Sequence, residues 1–256
     1  MKYGDVKMKA GEIRREEIEK YIFVNEEAQV NELAKMFDVT PETIRTDLAL
    51  LEQKGVLHRT HGGAVIRMYN NETPMEIRKK ERTEQKRKIS YEAINYVKDD
   101  DFVFIDSSST AFTLGRLLRL RKNLTIITNS YDLLLIIAST DHKVIFLGGV
   151  YSRLGKRTEG SYAIDMIDSL SYDVAFIGMD GCAGIDGPAT IIEDARNINR
   201  HVMRRSKRNV LISDNTKFTK DAKYQYAKFE EFDVLITDYV PKGIEIKGVK
   251  IIETEK

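Results

Sequence analysis

The sequence of 256 residues holds one cysteine, no tryptophan and four prolines. A single thiol, Cys182, excludes an intrachain disulfide framework and fits a reducing compartment. No charge sign dominates: 41 Lys and Arg stand against 40 Asp and Glu, a net charge of +1. Any surface for a polyanion is therefore a local patch masked in the sum. Long apolar runs are missing too. The most apolar stretch, residues 131–140 (YDLLLIIAST), is too short to span a bilayer. The N-terminal stretch MKYGDVKMKAGEIRREEIEK lacks the apolar segment of a signal peptide. These absences predict a soluble, cytoplasmic protein with no membrane partner, and no metal or cofactor is expected. What is present is 42% hydrophobic residues, ample for a core, in a length that suits one small and one medium domain.

Residues 1–10 read as a loose leader. Ile13, Ile18, Tyr21 and Ile22 repeat at helical spacing and predict a helix over residues 11–25. A second helix is expected over residues 30–37, with Val30, Leu33, Ala34 and Phe37 on one face. Asp38 and Val39 make the turn. Thr40 is placed as an N-cap, Pro41 at the first helical position and Glu42 at the positive helix end. This third helix continues to Lys54 and stops at Gly55. Its buried face is Ile44, Leu48 and Leu51; Glu42, Thr46, Ala49 and Gln53 lie opposite, flanked by Thr43 and Arg45. VLHRT, Gly62-Gly63 and AVIR then form a β-hairpin.

Two helices, a tight turn and a hairpin make a winged helix-turn-helix, a module that sets one helix in the major groove of DNA. Thr40, Thr43, Arg45, Thr46, Ala49, His58, Arg59, His61, Gly62 and Gly63 are the expected DNA-facing residues. Arginine suits a guanine edge or a phosphate, and the threonines suit either. Gly62 and Gly63 are read as allowing close approach to the duplex, and Arg14 and Arg15 as reaching the adjacent backbone.

A polar linker over residues 70–74 leads into a charged helix over residues 75–97, whose RKKERTEQKRK run (residues 78–88) reads as a solvated face, with a DNA or effector role as the alternative. Short apolar strands over residues 102–105, 124–128, 144–147, 174–177, 210–212 and 234–237 then alternate with helical segments. That alternation implies a mostly parallel sheet covered on both faces. The expected domains are 1–68, a connector over 69–100, and 101–256.

Asp106-Ser107-Ser108-Ser109-Thr110 ends one strand and opens a helix, a seat for a phosphate. Asn129, Gly148-Gly149, Asp180-Gly181 and Lys217 follow later strands, where ligands of open parallel sheets bind. Glu193 lies in the TIIE segment before another helix.

TPETIRTDLALLEQKGVLHRTHGGA resembles the signature of DeoR-family bacterial transcriptional regulators, with Thr40, Thr43, Ile44, Arg45, Asp47, Leu48, Leu51, Gly55, Leu57, Arg59, His61, Gly62, Gly63 and Ala64 matching. Thr46 departs from it, standing where the family carries a second arginine. IDSSST, TNS, LGG, GMDG, TIIE and DNTKF resemble the family's sensor domain. The resemblance implies an α/β, Rossmann-like domain similar to ribose-5-phosphate isomerase and the CoA transferases. It further implies a phosphorylated sugar or related metabolite as effector. Ser107 to Thr110 and Lys217 would hold the phosphate, and Asp106, Asn129, Asp180 and Glu193 would meet sugar hydroxyls. Ser108 replaces a family glycine and narrows the loop.

The leading expectation is a repressor of a carbohydrate-metabolism operon that acts as a homodimer or homotetramer on operator DNA. One alternative is an isomerase-like enzyme built on Glu193 and Lys217. A second is a DNA-binding protein whose other domain only oligomerises.

Overall fold

The computed structural model describes residues 10–54, 56–66 and 72–255. The expected leader apart from residue 10, the Gly55 helix stop, and Asn70 and Asn71 of the linker lie outside them. The chain divides into two compact units, Met1–Thr73 and Pro74–Lys256.

The first unit runs α1 (Ala10–Asn25), β1 (Glu27–Gln29), α2 (Val30–Met36), α3 (Pro41–Gln53), β2 (Leu57–Arg59) and β3 (Gly63–Ile66). The Thr40 hydroxyl accepts from the Thr43 N–H at 3.2 Å and caps α3, as expected. Asp38, at φ 50°, makes the left-handed turn between α2 and α3. Ile18, Ile22, Val30, Leu33, Ile44, Leu48, Leu51 and Leu57 form the core. Ile13 does not join it: it is 50% exposed, because the stripe of α1 that meets the other helices is centred one turn later, on Ile18 and Ile22.

The hairpin gains a strand that the sequence did not announce. The three-stranded sheet has the order β1-β3-β2, with Ala28 opposite Ala64. Three residues are too few for alternation to register. This strand changes the meaning of Gly63. A Cβ there would lie 1.9 Å from the Ala28 carbonyl oxygen, so the β1–β3 pairing itself requires the missing side chain.

The second unit contains α4 (Met75–Lys80), α5 (Thr83–Ala93), β4 (Phe102–Ile105), α6 (Ser109–Gly115), β5 (Thr125–Thr128), α7 (Tyr131–Ile137), β6 (Lys143–Phe146), β7 (Val150–Ser152), β8 (Arg157–Glu159), α8 (Ser161–Asp168), β9 (Val174–Ile177), β10 (Ala189–Thr190), α9 (Glu193–Arg205), β11 (Asn209–Ile212), β12 (Tyr224–Gln225), β13 (Val234–Thr237) and β14 (Lys250–Glu253). Seven strands form one sheet in the order β14-β13-β11-β9-β4-β5-β6, and every neighbouring pair is parallel. Residues of α5, α6 and α7 pack one face, and residues of α8 and α9 pack the other. The six expected strands are present, and β14 adds an edge strand reached through a stretch without a helix.

The charged helix expected over residues 75–97 is instead two helices. It breaks at Arg82, which adopts the left-handed conformation (φ 51°, ψ 40°). Its charged run is largely exposed, as expected, with one exception. Lys86 is only 3% exposed, and its ammonium donates to the Arg78 and Glu81 carbonyls at 2.5 Å each. A helix end leaves carbonyls without intrahelical partners. Here the break frees those of α4, and Lys86 on the next helix takes them up.

Candidate DNA interface and effector site

The outward face of α3 carries the expected polar set. The Thr40 and Thr43 hydroxyls lie 2.9 Å apart, and the Thr46 hydroxyl donates to the Glu42 carbonyl at 3.0 Å. Arg45 is exposed and bonds the equally exposed Glu42 at 3.0 Å, one turn earlier. Ala49 is half-buried beside them. On the wing, His61 and Gly62 are exposed and His58 is half-buried.

Arg59 has a different posture. Its backbone N–H and its Nε donate to the two carboxylate oxygens of Glu52, both at 2.8 Å, which ties β2 to the end of α3. Burial pushes the Glu52 carboxyl up, but the bonds and charge from Arg59 outweigh it and leave the group below its usual range.

Arg14 and Arg15, expected at the adjacent DNA backbone, are engaged within the unit. Arg14 Nε and Arg15 Nη1 meet the two oxygens of Asp47 at 2.6 and 3.0 Å, and Asp47 is buried within α3. This pair of bonds braces α1 against the reading helix. The signal was available: Asp47 is an acid three residues after Ile44 and four before Leu51, inside an apolar stripe, and a buried carboxylate needs partners.

In the second unit the strand order reverses between β4 and β9. From β4 the chain proceeds outward to β5 and β6, then returns to β9 on the other side and moves on to β11, β13 and β14. Ligands of such sheets lie outside the carboxyl ends of the strands at this reversal. The residues there are drawn together closely. Asp106 accepts from the Ser108 N–H at 2.9 Å and, across the reversal, from the Gly178 N–H at 2.7 Å. Burial pushes the Asp106 carboxyl up, against the lowering effect of these bonds, and nearby Asp180 adds to the rise. Ser108 caps α6 by accepting from the Ala111 N–H at 3.2 Å. It is packed so tightly that a Cβ on Gly178 would sit 2.6 Å from its own Cβ. Ser107 is half-buried, while Ser109 and Thr110 are buried in the first turn of α6.

The loops after β9 and β11 are laced to each other. Cys182 N–H donates to the Lys217 carbonyl at 3.2 Å and Ala183 N–H to the Lys220 carbonyl at 3.0 Å. A Cβ at Gly181 would lie 2.2 Å from the Lys220 carbonyl oxygen, so glycine permits that approach. Lys217 is half-buried, and its ammonium makes no hydrogen bond or ion pair among the described residues. Burial and then Lys220 lower its pKa, while Asp180 and Asp214 act against them. Cys182 is a buried neutral thiol, pushed up to about 11 by burial.

Other expected residues sit further from this cluster. Ile105 pairs with Thr128, so Asn129 follows on the strand beside Asp106, and its Nδ2 donates to the Thr158 carbonyl at 2.9 Å. Gly149, at φ 146°, lets the β7–β8 hairpin close, since a Cβ would meet the Glu159 carbonyl oxygen at 2.5 Å. The Gly148 N–H donates to the Met166 sulfur. Gly149 therefore has structural work in the hairpin, while Gly148 faces α8. Glu193 is exposed at the start of α9, and its segment reaches the cluster through Ile191 N–H, which donates to Asp180 at 3.2 Å.

The sequence singles out neither Arg82 and Lys86 within the charged run nor Asp238. Arg82 Nη2 donates to Asn215 at 2.6 Å and to Asp238 at 2.7 Å, and its Nε lies 3.9 Å from Asp214. The broken charged helix is thus fastened to the carboxyl ends of β11 and β13. Burial lowers Lys86 to about 8, with Asp214 pulling the other way. Its folded pKa lies below its reference value of 10.5, so between these values the unfolded chain binds more protons and stability rises with pH. The urea midpoint of this unit is expected to climb from pH 8 toward pH 10, and Lys86→Met to flatten that climb. Equal slopes in both proteins would place the titration elsewhere.

Among the described residues, no helix is long and apolar enough to cross a membrane, and no group of His, Cys, Asp and Glu is placed to hold a metal ion. Residues 14–68 match the DeoR-like helix-turn-helix domain, and residues 81–239 match the DeoR C terminal sensor domain. The chain is 26% identical to the putative aga operon transcriptional repressor of Escherichia coli O157:H7, over 97% of this chain and 96% of that one. It is 28% identical to the HTH-type transcriptional regulator IolR of Bacillus subtilis, over 88% and 90%. Identity to the glycerol-3-phosphate regulon repressor of Escherichia coli K12 is also 28%, over 82% and 84%. Among solved structures, ribose 5-phosphate isomerase A from Methanocaldococcus jannaschii matches with a TM-score of 0.40 and 18% identity, covering 53% of this chain and 54% of that one. A 4-hydroxybutyrate CoA-transferase from Porphyromonas gingivalis matches with a TM-score of 0.40 and 14% identity, covering 63% and 49%. With a DNA-reading module and a sensor domain in this order along nearly its whole length, the chain belongs to the DeoR family of transcriptional regulators.

Proposed function

We propose that this protein represses a carbohydrate-metabolism operon, and that a phosphorylated sugar bound at the β4/β9 strand ends controls its hold on DNA. The observation that carries the sensing half is Lys217. A half-buried ammonium that makes no hydrogen bond or ion pair among the described residues, on the loop after β11 and facing the charges of Asp180 and Asp214, is a site short of an anion. Asp106 keeps that loop fixed, and Asp180 and Asn129 are the polar neighbours for sugar hydroxyls, with Gly148, Gly149 and Gly181 shaping the backbone around them. Glu193 lies at the rim. A homodimer or homotetramer places two reading helices on a symmetric operator.

On the DNA side, Arg45 and Thr43 at the start of α3 are the base and phosphate readers, with Thr40, Thr46, Ala49, His58, His61 and Gly62 around them. Arg59 acts through Glu52 by setting the wing. Arg45→Ala is expected to weaken operator binding by about 10- to 100-fold, the worth of a good base contact at about 1–3 kcal/mol. Its exposed bond to Glu42 contributes little, so the melting temperature stays nearly constant. An unaltered gel shift would remove Arg45 from the reading surface.

The function is tested by a panel of sugar phosphates, read both as melting temperature and as operator gel shift. A ligand at about 100 times its Kd adds roughly 2.7 kcal/mol to the stability of the form it binds. A panel that moves neither readout would leave the second unit as an oligomerisation domain.

A further inference from the structure

One apolar face of the second unit is left open by its own chain. Tyr162 is 72% exposed, Val150 66%, Leu135 59% and Tyr151 50%. They form one run. The Tyr151 ring packs edge-on against Tyr131 at 5.9 Å, and Leu135 follows Tyr131 by one turn of α7. Val150 stands beside Gly160, where a Cβ would meet its Cγ2 at 3.8 Å, and Tyr162 lies just beyond in the first turn of α8. Single exposed apolar residues are ordinary, whereas a contiguous group of this kind marks a contact surface.

The strand at its centre has an open side. β7 and β8 form a ribbon of two strands, with Val150 opposite Glu159 and Tyr151 opposite Thr158. β8 is the inner strand. Its Arg157 and Thr158 are buried; Arg157 forms a β-bridge with Ser130, and the Thr158 N–H donates to the Asn129 carbonyl at 2.9 Å. β7 is therefore the outer strand, and among the described residues no strand pairs with its far edge. Successive residues of a strand face opposite sides. Val150 and Tyr151 are both exposed, so β7 presents apolar side chains on both sides beside a free row of backbone donors and acceptors. Such an edge is a template for another strand, and proteins ordinarily blunt it with charge or proline. Neither stands in Val150–Ser152.

We propose that a second copy of this chain covers this face, with the two β7 edges antiparallel across a two-fold axis. Antiparallel pairing of a strand with its own copy is itself a two-fold arrangement, so one strand supplies both halves of the contact. The neighbouring acids do not oppose it. Asp132, next to Tyr131, is held by Lys79 and Lys156, and Glu159, opposite Val150, by Arg157. A two-fold contact therefore sets neither carboxylate uncompensated against its own copy. The exposed parts of the five side chains amount to roughly 600 Å² per copy, or roughly 1,200 Å² for a pair, the lower limit of a stable specific interface. This rests on the homo-oligomer reading given above and adds the face through which the copies meet.

The test is sedimentation equilibrium of the full chain beside the double variant Val150→Glu, Tyr162→Glu, which sets like charges against each other across the axis. The dissociation constant of one association step is expected to rise at least about 100-fold, since each substitution counts twice in a two-fold contact. The melting temperature of the dilute variant should match that of the dilute parent, because both side chains project from the surface. A folded variant that assembles as tightly as the parent would overturn this face as the interface and leave the oligomer reading standing. A parent chain that stays monomeric throughout would overturn both. Hydrogen exchange of the parent chain, followed across the concentrations over which it assembles, needs no substitution. The amides of Val150–Ser152 are expected to gain protection on assembly; protection gained elsewhere and not in β7 would overturn the inference even where the variant fails to fold.

Discussion

Asp47→Ala is expected to be the most damaging single polar substitution in the DNA-reading unit, lowering its stability by about 3 kcal/mol. Asp47 is buried in α3 and receives Arg14 and Arg15 from α1 at 2.6 and 3.0 Å. Removing it deprives two guanidiniums, each only 20% exposed, of their shared acceptor, and α1 loses its tie to the helix that reads DNA. In a unit of this size each kcal/mol moves the midpoint by roughly 4–8 °C, so the unit's transition should fall by roughly 12–24 °C. Operator binding should fall with it at physiological temperature. Asp47→Asn, which keeps an acceptor of the same shape, should fall less. If alanine leaves the transition where it was, the Arg–Asp–Arg brace carries no stability and α1 is held by Ile18 and Ile22 alone.

Lys217→Ala should have the opposite signature, with little cost in folding and a large loss of response. A half-buried ammonium that has no partner among the described residues, and that Lys220 repels, gives up no hydrogen bond or ion pair among them when removed. Effector coupling in such switches is worth about 1–3 kcal/mol, or about 5–150-fold in affinity. The ratio of operator affinities without and with sugar phosphate should collapse toward one in this variant. A variant that still responds over the parent's range would move the phosphate site away from the loop after β11.

The two halves were legible to different depths. The reading helix was almost fully written in local signals: the Thr40 cap, Pro41, and the Ile44, Leu48, Leu51 stripe are short-range choices that the fold keeps. The parallel sheet was legible as apolar runs at the right spacing. What stayed hidden depends on contacts between distant residues. β1 is three residues long and exists because Gly63 leaves room for the Ala28 carbonyl. The connector reads as a solvated charged helix because composition cannot distinguish a lysine that faces water from Lys86, which faces carbonyls. Arg82 belongs with Asp238, 156 positions later, and no local pattern announces that pairing. Several expected ligand residues also proved to have structural duties, Gly149 in its hairpin and Asp106 in its bridge to Gly178 among them.

Thr46 remains the distinctive position of the reading face. Its hydroxyl turns back to the Glu42 carbonyl, so the side chain offers a methyl and a shared oxygen outward where the family signature offers a cation. Operator preference is expected to differ from that of relatives at the base step it covers.

One chain is proposed to couple operator affinity to a phosphorylated sugar. The most direct measurement is the equilibrium affinity of the full chain for its operator, by fluorescence anisotropy at fixed salt, across a saturating panel of sugar phosphates. One member is expected to change the affinity by about 5- to 150-fold while the unphosphorylated sugar does not. Tight operator binding that no member of the panel alters would contradict it.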